Sequence, residues 1–592
     1  MNIRVVWLFF AVMCGMSAAF GQSSEGVVPE AWKTTAERTN YAKTSTYTEA
    51  VAYAKRLAAA SNGVVRYESY GKSGEGREMP LLIAAANGAF TPAIARKQGK
   101  AVVLVQAGIH AGEIDGKDAG LALFRDIAIT KTRADLLKNV IILFEVIYNV
   151  DGHENRSPFM RMNQNGPDEM GFRANATNLN LNRDYMKADA PETRAFLGLW
   201  NKWSPDVFID CHVTDGADFQ YNISYEYAHF QEVAPTIKQW MGQHFDGVVV
   251  PAVEKEGNLI TRYVEFAGRE ITSGIATFVA TPRYATGYAA IRNRPGLLIE
   301  THVYKPYRSR VRGTYDVLRH FIGEIGKSKE SLIGAISAAD IEANDRPIDS
   351  QIPLVVGVTD KPTEIAFKGL EYKVEDSAIS GGKMIVYGKT PKTYTIKKFD
   401  EGKVVTSVVP PIAYIIPPQY TDVIERLKLH GIKYEVRKKP IEVEVESYKL
   451  TEPKWSTSSF ENRITLSCKP LPIKETRVYA AGSVIVFLNQ PAANVAIHLL
   501  EPAGPDSLVY WGFFNSVFEQ KEYGESYQIE KLAKEILAKD PKLKAEFEAK
   551  LKDEAFAKNP RARLQFFYER SRYYVDQQIG RYPIGRIVKG FN

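Results

Sequence analysis

From residue 63 to about residue 325 the sequence repeats one pattern, a short apolar run followed by an amphipathic stretch. The runs at 64–69, 79–86, 101–106, 140–148, 206–211, 275–280 and 297–301 predict strands, and 116–129, 191–203 and 314–326 predict helices among them. Apolar runs without polar alternation are strands buried on both faces, so the pattern predicts an α/β domain: a mostly parallel or mixed sheet with helices on both faces. In such sheets reactive groups gather beyond the carboxyl ends of the strands.

The pattern stops near residue 327. A chain of 592 residues is too long for one core. The expected division is a domain at 22–326, a connecting helix and linker at 327–350 and a carboxyl-terminal region at 351–592. That region is β-rich at first, with turn signals such as Ser380-Gly381-Gly382, and helical and charged from residue 525. At the other end, Arg4, an apolar stretch from Val5 to Met13 and the small-x-small triplet Ala19-Phe20-Gly21 predict a signal peptide over 1–21. Export is expected, to a periplasm or the exterior, with no stable membrane insertion after cleavage. Removing that segment leaves only Cys211 and Cys468, which excludes a disulfide scaffold. A formal charge of +7 spread over this length gives no nucleic-acid-binding stripe.

Chemistry-bearing residues follow the predicted strands. The run 101–105 leads into Gln106-Ala-Gly-Ile-His110-Ala-Gly-Glu113, so an imidazole and a carboxylate leave a strand three residues apart. Residues so spaced share a face and can meet on one ion. His212 ends the run 206–211 and supplies a third donor; three protein ligands with one open position is the arrangement of a catalytic zinc. The long loop 149–185 carries Arg161 and the adjacent Asn182 and Arg183, and a guanidinium with an amide beside it suits a carboxylate. Glu300 stands at the end of an otherwise apolar strand, where a charge is costly unless paired or used. Cys211 adjoins His212 on the same strand and so points to the other face, as a core thiol.

An H-x-x-E after a strand, then Asn149-x-Asp151-Gly152, then Leu181-Asn182-Arg183-Asp184, a strand-end His and a strand-end Glu appear in that order. Over roughly residues 45 to 325 this resembles the zinc carboxypeptidase family of the carboxypeptidase A type, in a secreted bacterial form with a long carboxyl-terminal extension. The resemblance implies one zinc per chain on His110, Glu113 and His212. It implies Glu300 as general base and later acid, and Arg161 as the oxyanion-stabilising cation. It implies Asn182 and Arg183 as the clamp on a peptide's free terminal carboxylate, and Tyr284, with Tyr288 as the alternative, as the mobile tyrosine. Where the digestive members carry an arginine between the first His and Glu, this chain has Gly112. The function implied is hydrolysis of the carboxyl-terminal peptide bond. The alternatives are a related zinc hydrolase of cell-wall stem peptides or acylated amino acids, a binding protein on a peptidase scaffold, and an adhesion role for residues 351–592.

Overall fold

The structure is a computed structural model that describes residues 28–214, 216–574 and 579–589; the expected signal peptide lies outside them. The strands are β1 (Val65–Lys72), β2 (Glu78–Ala84), β3 (Ala101–Ala107), β4 (Val140–Glu145), β5 (Val207–Thr214), β6 (Ile223–Glu226), β7 (Ile260–Arg262), β8 (Ile275–Ala276) and β9 (Gly296–His302). All but β8 form one mixed sheet in the order β1-β2-β4-β3-β5-β9-β6-β7. Its centre, β4-β3-β5-β9, is parallel. Every residue of β3, β4 and β5 is buried, as helix-covered parallel strands require. Helices Asp115–Ala128 and Tyr307–Lys327 pack on one face, and Pro191–Trp203 and Ala285–Ile291 on the other.

Two expectations change, and a third gains detail. The predicted strand 275–280 shrinks to the two residues of β8, which leaves the main sheet. The connecting helix expected after residue 327 is Lys329–Asn344, and its Leu332, Ile336 and Ala339 enter the core of the α/β domain. Residues 351–592 do not form a separate body. Trp200, Phe208 and Tyr288 of the α/β domain share one buried cluster with Tyr414, Leu427 and Leu500. Each such side chain contributes roughly 1.5–3 kcal/mol on burial, far more than a tether between independent domains provides.

Among its described residues the carboxyl-terminal region has ten strands: β10 (Ile352–Val358), β11 (Thr363–Asp376), β12 (Lys383–Phe399), β13 (Gly402–Val408), β14 (Ala413–Ile416), β15 (Glu435–Val436), β16 (Ile441–Trp455), β17 (Leu466–Tyr479), β18 (Val484–Phe487) and β19 (Gly585–Ile587). Six of them form a second sheet, β15-β18-β14-β19-β16-β17, while β10 pairs with β13 alone. The long ribbon β11–β12 joins β8 through Lys398 beside Ile275 and Phe399 beside Ala276. The charged segment is helical, as Ser526–Lys539, Pro541–Lys550 and Pro560–Tyr568 around a small cluster of its own. No described helix is long and apolar enough to cross a membrane.

Candidate active site and metal centre

Strand register assembles the site. On parallel neighbours, paired residues project to the same face, and so do residues two apart on one strand. His212 of β5 pairs with Glu300 of β9, and Asp210, two residues earlier, pairs with Gln106 of β3. One face of the sheet thus carries Asp210, His212 and Glu300 together. Beyond β3, Gly108 turns the chain with φ +70°, in the left-handed region where glycine carries no penalty. The amide of Glu113 bonds the carbonyl of His110 at 2.9 Å, and this tight turn aims both side chains at His212.

Three donor atoms converge. His110 Nδ1 lies 3.1 Å from Glu113 Oε1, His212 Nδ1 lies 2.9 Å from Glu113 Oε2, and the two Nδ1 atoms are 3.2 Å apart. Tetrahedral ligands at about 2.0–2.1 Å from a zinc ion sit about 3.4 Å from each other, so the set is slightly tighter than an ion requires. The far nitrogens are both engaged: His212 Nε2 faces Asp210 Oδ2 at 2.7 Å, and His110 Nε2 faces Asn180 Oδ1 at 3.1 Å. An oxygen acceptor at Nε2 holds the proton there and leaves the Nδ1 lone pair for a metal. Asp210 is itself held by Gln106 Nε2 at 2.8 Å, and Gln106 by the Tyr185 hydroxyl. Among the described residues this His–Glu–His set is the group arranged to hold a metal ion. Its donor chemistry and its oriented imidazoles fit zinc.

The electrostatics follow from burial and from negative charge. Burial pushes His110 down to about 4 against the pull of Glu113. Burial would lower His212 as well, but Asp210, Glu113 and Glu300 raise it well above the usual histidine value. Glu113 resists burial through His110, Arg161 and His212 and stays well below the carboxylate range. Burial pushes Glu300 up to about 8; His212 opposes this, and Glu113 and Asp210 add to it. Glu300 Oε2 is buried with no hydrogen-bond partner among the described residues. A dication on His110, Glu113 and His212 would displace the proton that the carboxylates hold on His212, so metal binding would release protons.

The structure also sorts the cations. Arg161 sends Nη1 to Glu113 Oε1 at 2.9 Å and Nε to Gln164 at 2.6 Å, and it does not line the cavity beside the metal group. Arg173, which the sequence did not single out, lies 3.3 Å from the same Glu113 oxygen and does line that cavity, with its side chain 45% exposed. Only its place in the long loop could have pointed to it. Gly112 is explained by Arg161: a Cβ there would stand 2.4 Å from Arg161 Cδ and 2.7 Å from the Gly171 carbonyl. An arginine at that position has no room.

Asn182 and Arg183 open onto the same cavity, of about 680 Å³. Asn182 accepts from the Ala285 amide, and Arg183 lies over the Tyr284 ring, 4.3 Å from its centroid. Burial holds Arg183 below the usual guanidinium value; its Nη1 donates to the Asn182 carbonyl at 2.7 Å, and it makes no ion pair among the described residues. Tyr284 lines the cavity; Tyr288 is fully buried, with its hydroxyl 3.0 Å from His430 Nδ1, and is excluded as the mobile tyrosine. Cys211 is a buried free thiol, raised well above its usual pKa by burial.

The carboxyl-terminal region reaches the site twice. Glu461, in the loop between β16 and β17, accepts from the amide of Asn180 at 2.8 Å, the residue that orients His110. Lys383, Ile385 and Tyr387 of β12 line the cavity itself. Neither contact was readable from the sequence.

Residues 50–255 match the zinc carboxypeptidase family profile, a span that includes the three metal-site residues and ends before Glu300. Over 484 residues the chain is 22% identical to carboxypeptidase 2 of Trichophyton rubrum, covering 78% of this chain and 82% of that protein. Carboxypeptidase 2 of Trichophyton tonsurans is also 22% identical, over 498 residues, with the same coverage. Among solved structures, a metallo-carboxypeptidase from Burkholderia cenocepacia covers 48% of this chain and 70% of its own, at 16% identity and a TM-score of 0.36. Carboxypeptidase A from Helicoverpa armigera gives 50%, 74%, 18% and 0.35. The curated relatives are fungal, so they give no support to the bacterial type expected from the sequence. The chain is a metallopeptidase, and the segment that carries its His–Glu–His set is similar to the zinc carboxypeptidase family.

Proposed function

We propose that this chain is a zinc-dependent carboxypeptidase that removes the terminal residue from peptides bearing a free α-carboxylate. One observation carries the reading: two imidazole Nδ1 atoms and a carboxylate converge, each imidazole oriented from behind, beside Glu300, whose buried Oε2 has no hydrogen-bond partner among the described residues. His110, Glu113 and His212 would hold one zinc per chain. When bound, zinc lowers the pKa of a water and polarises the scissile carbonyl. The residues of the chain do the rest. Glu300 takes the proton of the attacking water and returns it to the leaving amine. Arg173 faces the oxygen on which charge develops, while Arg161 holds Glu113 in place. Arg183, stacked on Tyr284 and without an ion pair, takes the substrate's terminal carboxylate, with Asn182 beside it.

We place the protein outside the cytosol, on the strength of the charged end, apolar middle and small-residue site in residues 1–21. The test of the central reading is chemical. Paired peptides that differ only in a free or amidated carboxyl terminus should differ strongly in rate, because an amide leaves Arg183 desolvated and unpaired. Arg183→Ala should lose activity on the free acid and cease to distinguish the two. Equal wild-type rates on acid and amide would overturn the clamp assignment and favour an endopeptidase or deacylase.

A further inference from the structure

The metal group and the clamp occupy one side of the cavity. The other side is built from residues far along the chain. Lys383, Ile385 and Tyr387 are alternate residues of β12, so they share one face of the ribbon, and all three line the cavity. Met384 and Val386, on the opposite face, are exposed.

The ribbon is anchored. Isolated two-stranded ribbons are marginal in water, but this one extends β8 and seats Phe367 and Ile396 among Phe219, Tyr221, Ile271 and Ile275. Gln220 Nε2 donates to the Gly369 carbonyl at 2.8 Å, and the Tyr372 hydroxyl donates to Glu270 at 2.9 Å. The wall is thus fixed at its base to the domain that carries the catalytic residues.

We propose that the β11–β12 ribbon is a substrate-binding wall that contacts the peptide on the amino-terminal side of the cleaved bond. This rests on the carboxypeptidase reading and extends it. With Arg183, Asn182 and Tyr284 assigned to the terminal residue, a cavity of about 680 Å³ has room for more of the peptide. Ile385 and Tyr387 present an apolar strip toward that space, and Lys383 adds one cation at its edge. Lys383 pairs with Asp376 at 2.7 Å, but both are exposed, so the pair is weak and the ammonium is free to turn toward a ligand. The chemistry selects peptides of three or more residues with an aromatic or aliphatic side chain before the terminal residue.

The experiment compares two substrates ending in the same residue: a tetrapeptide with phenylalanine next to last, and the terminal amino acid carrying only a small N-acyl group. They are assayed with the full-length zinc-loaded wild type and with a Lys383→Ala, Ile385→Ala, Tyr387→Ala variant. Lys383 is exposed and Ile385 and Tyr387 are half-buried, so unchanged melting temperature and zinc content are required to establish that the variant is folded. Because binding energy from remote substrate residues is what the wall supplies, the variant should lose about tenfold or more in kcat/KM on the tetrapeptide and stay within about twofold on the short substrate. Unchanged rates on both substrates would overturn the proposal, and so would equal losses on both, which would make the ribbon a general support. A wild type inactive on both would instead overturn the carboxypeptidase reading and take this proposal with it.

Discussion

Two buried glutamates stand at the carboxyl ends of parallel strands in the same sheet, and they have opposite surroundings. Glu145 ends β4 and Glu300 lies near the end of β9. Both have a buried oxygen without a hydrogen-bond partner among the described residues, and burial raises the pKa of both. Register separates them. Glu145 is level with Gln106, which is level with Asp210; Glu300 is level with His212, two residues further along. That is about 6–7 Å along the strands. Around Glu145 the face is closed by Tyr148 and Tyr185, both fully buried. At the upper level it opens into the cavity with the metal group. A perturbed carboxyl is therefore not by itself a catalytic one; access and a reacting partner decide.

The comparison can be broken most directly at the upper level. Glu300→Gln keeps the shape but cannot accept a proton, and a general base is worth about 10²–10⁴-fold; turnover should fall by that much with zinc retained. A loss under tenfold would remove Glu300 from the proton transfer. Asp210→Asn probes the contact between the two levels: it leaves His212 in place but removes the lower-level carboxylate that holds its proton. Metal affinity, measured by competition with a chromophoric chelator, should fall about 10–100-fold, and unchanged affinity would show that the Asp210–His212 pair is only structural. Glu145→Gln should leave kcat/KM within about twofold of wild type. Its effect is on stability. The folded pKa of Glu145 is raised, so above the unfolded value of 4.5 the folded chain keeps a proton that the unfolded chain has lost. The wild type therefore loses up to about 1.4 kcal/mol per pH unit through that window as pH rises, until Glu145 ionises in the folded state. The glutamine variant lacks this loss, so it should be the more stable of the two at neutral pH and should match the wild type more closely near pH 4. Urea unfolding at a series of pH values reads this difference.

The sheet was legible in the sequence where its strands are apolar throughout. The runs behind β3, β4, β5 and β9 announce helix-covered parallel strands, and the donors that follow them announce the site. The strands β6 and β7 were not legible, because Ile-Ser-Tyr-Glu and Ile-Thr-Arg are short and carry no run. Their pairing is set by neighbours, not by their own pattern. The residues behind the ligands escaped for a related reason. Asn180 and Asp210 matter through the direction of an imidazole, and Arg173 through the fold of a loop, and none of these has a spacing signal. The ribbon β11–β12 reads as strand, but its mostly exposed residues say nothing about where it docks. Only the packing of Phe367 and Ile396 puts it over the cavity.

The central claim is that His110, Glu113 and His212 form one zinc site on which activity depends. The most direct test is the zinc content of the purified chain by elemental analysis, with peptide hydrolysis followed through removal of the metal by a chelator and its return. The account predicts about one zinc per chain, loss of hydrolysis on removal and recovery with one equivalent of zinc. A chain that holds no zinc at any stage, or that hydrolyses peptides at an unchanged rate after complete removal, would contradict it.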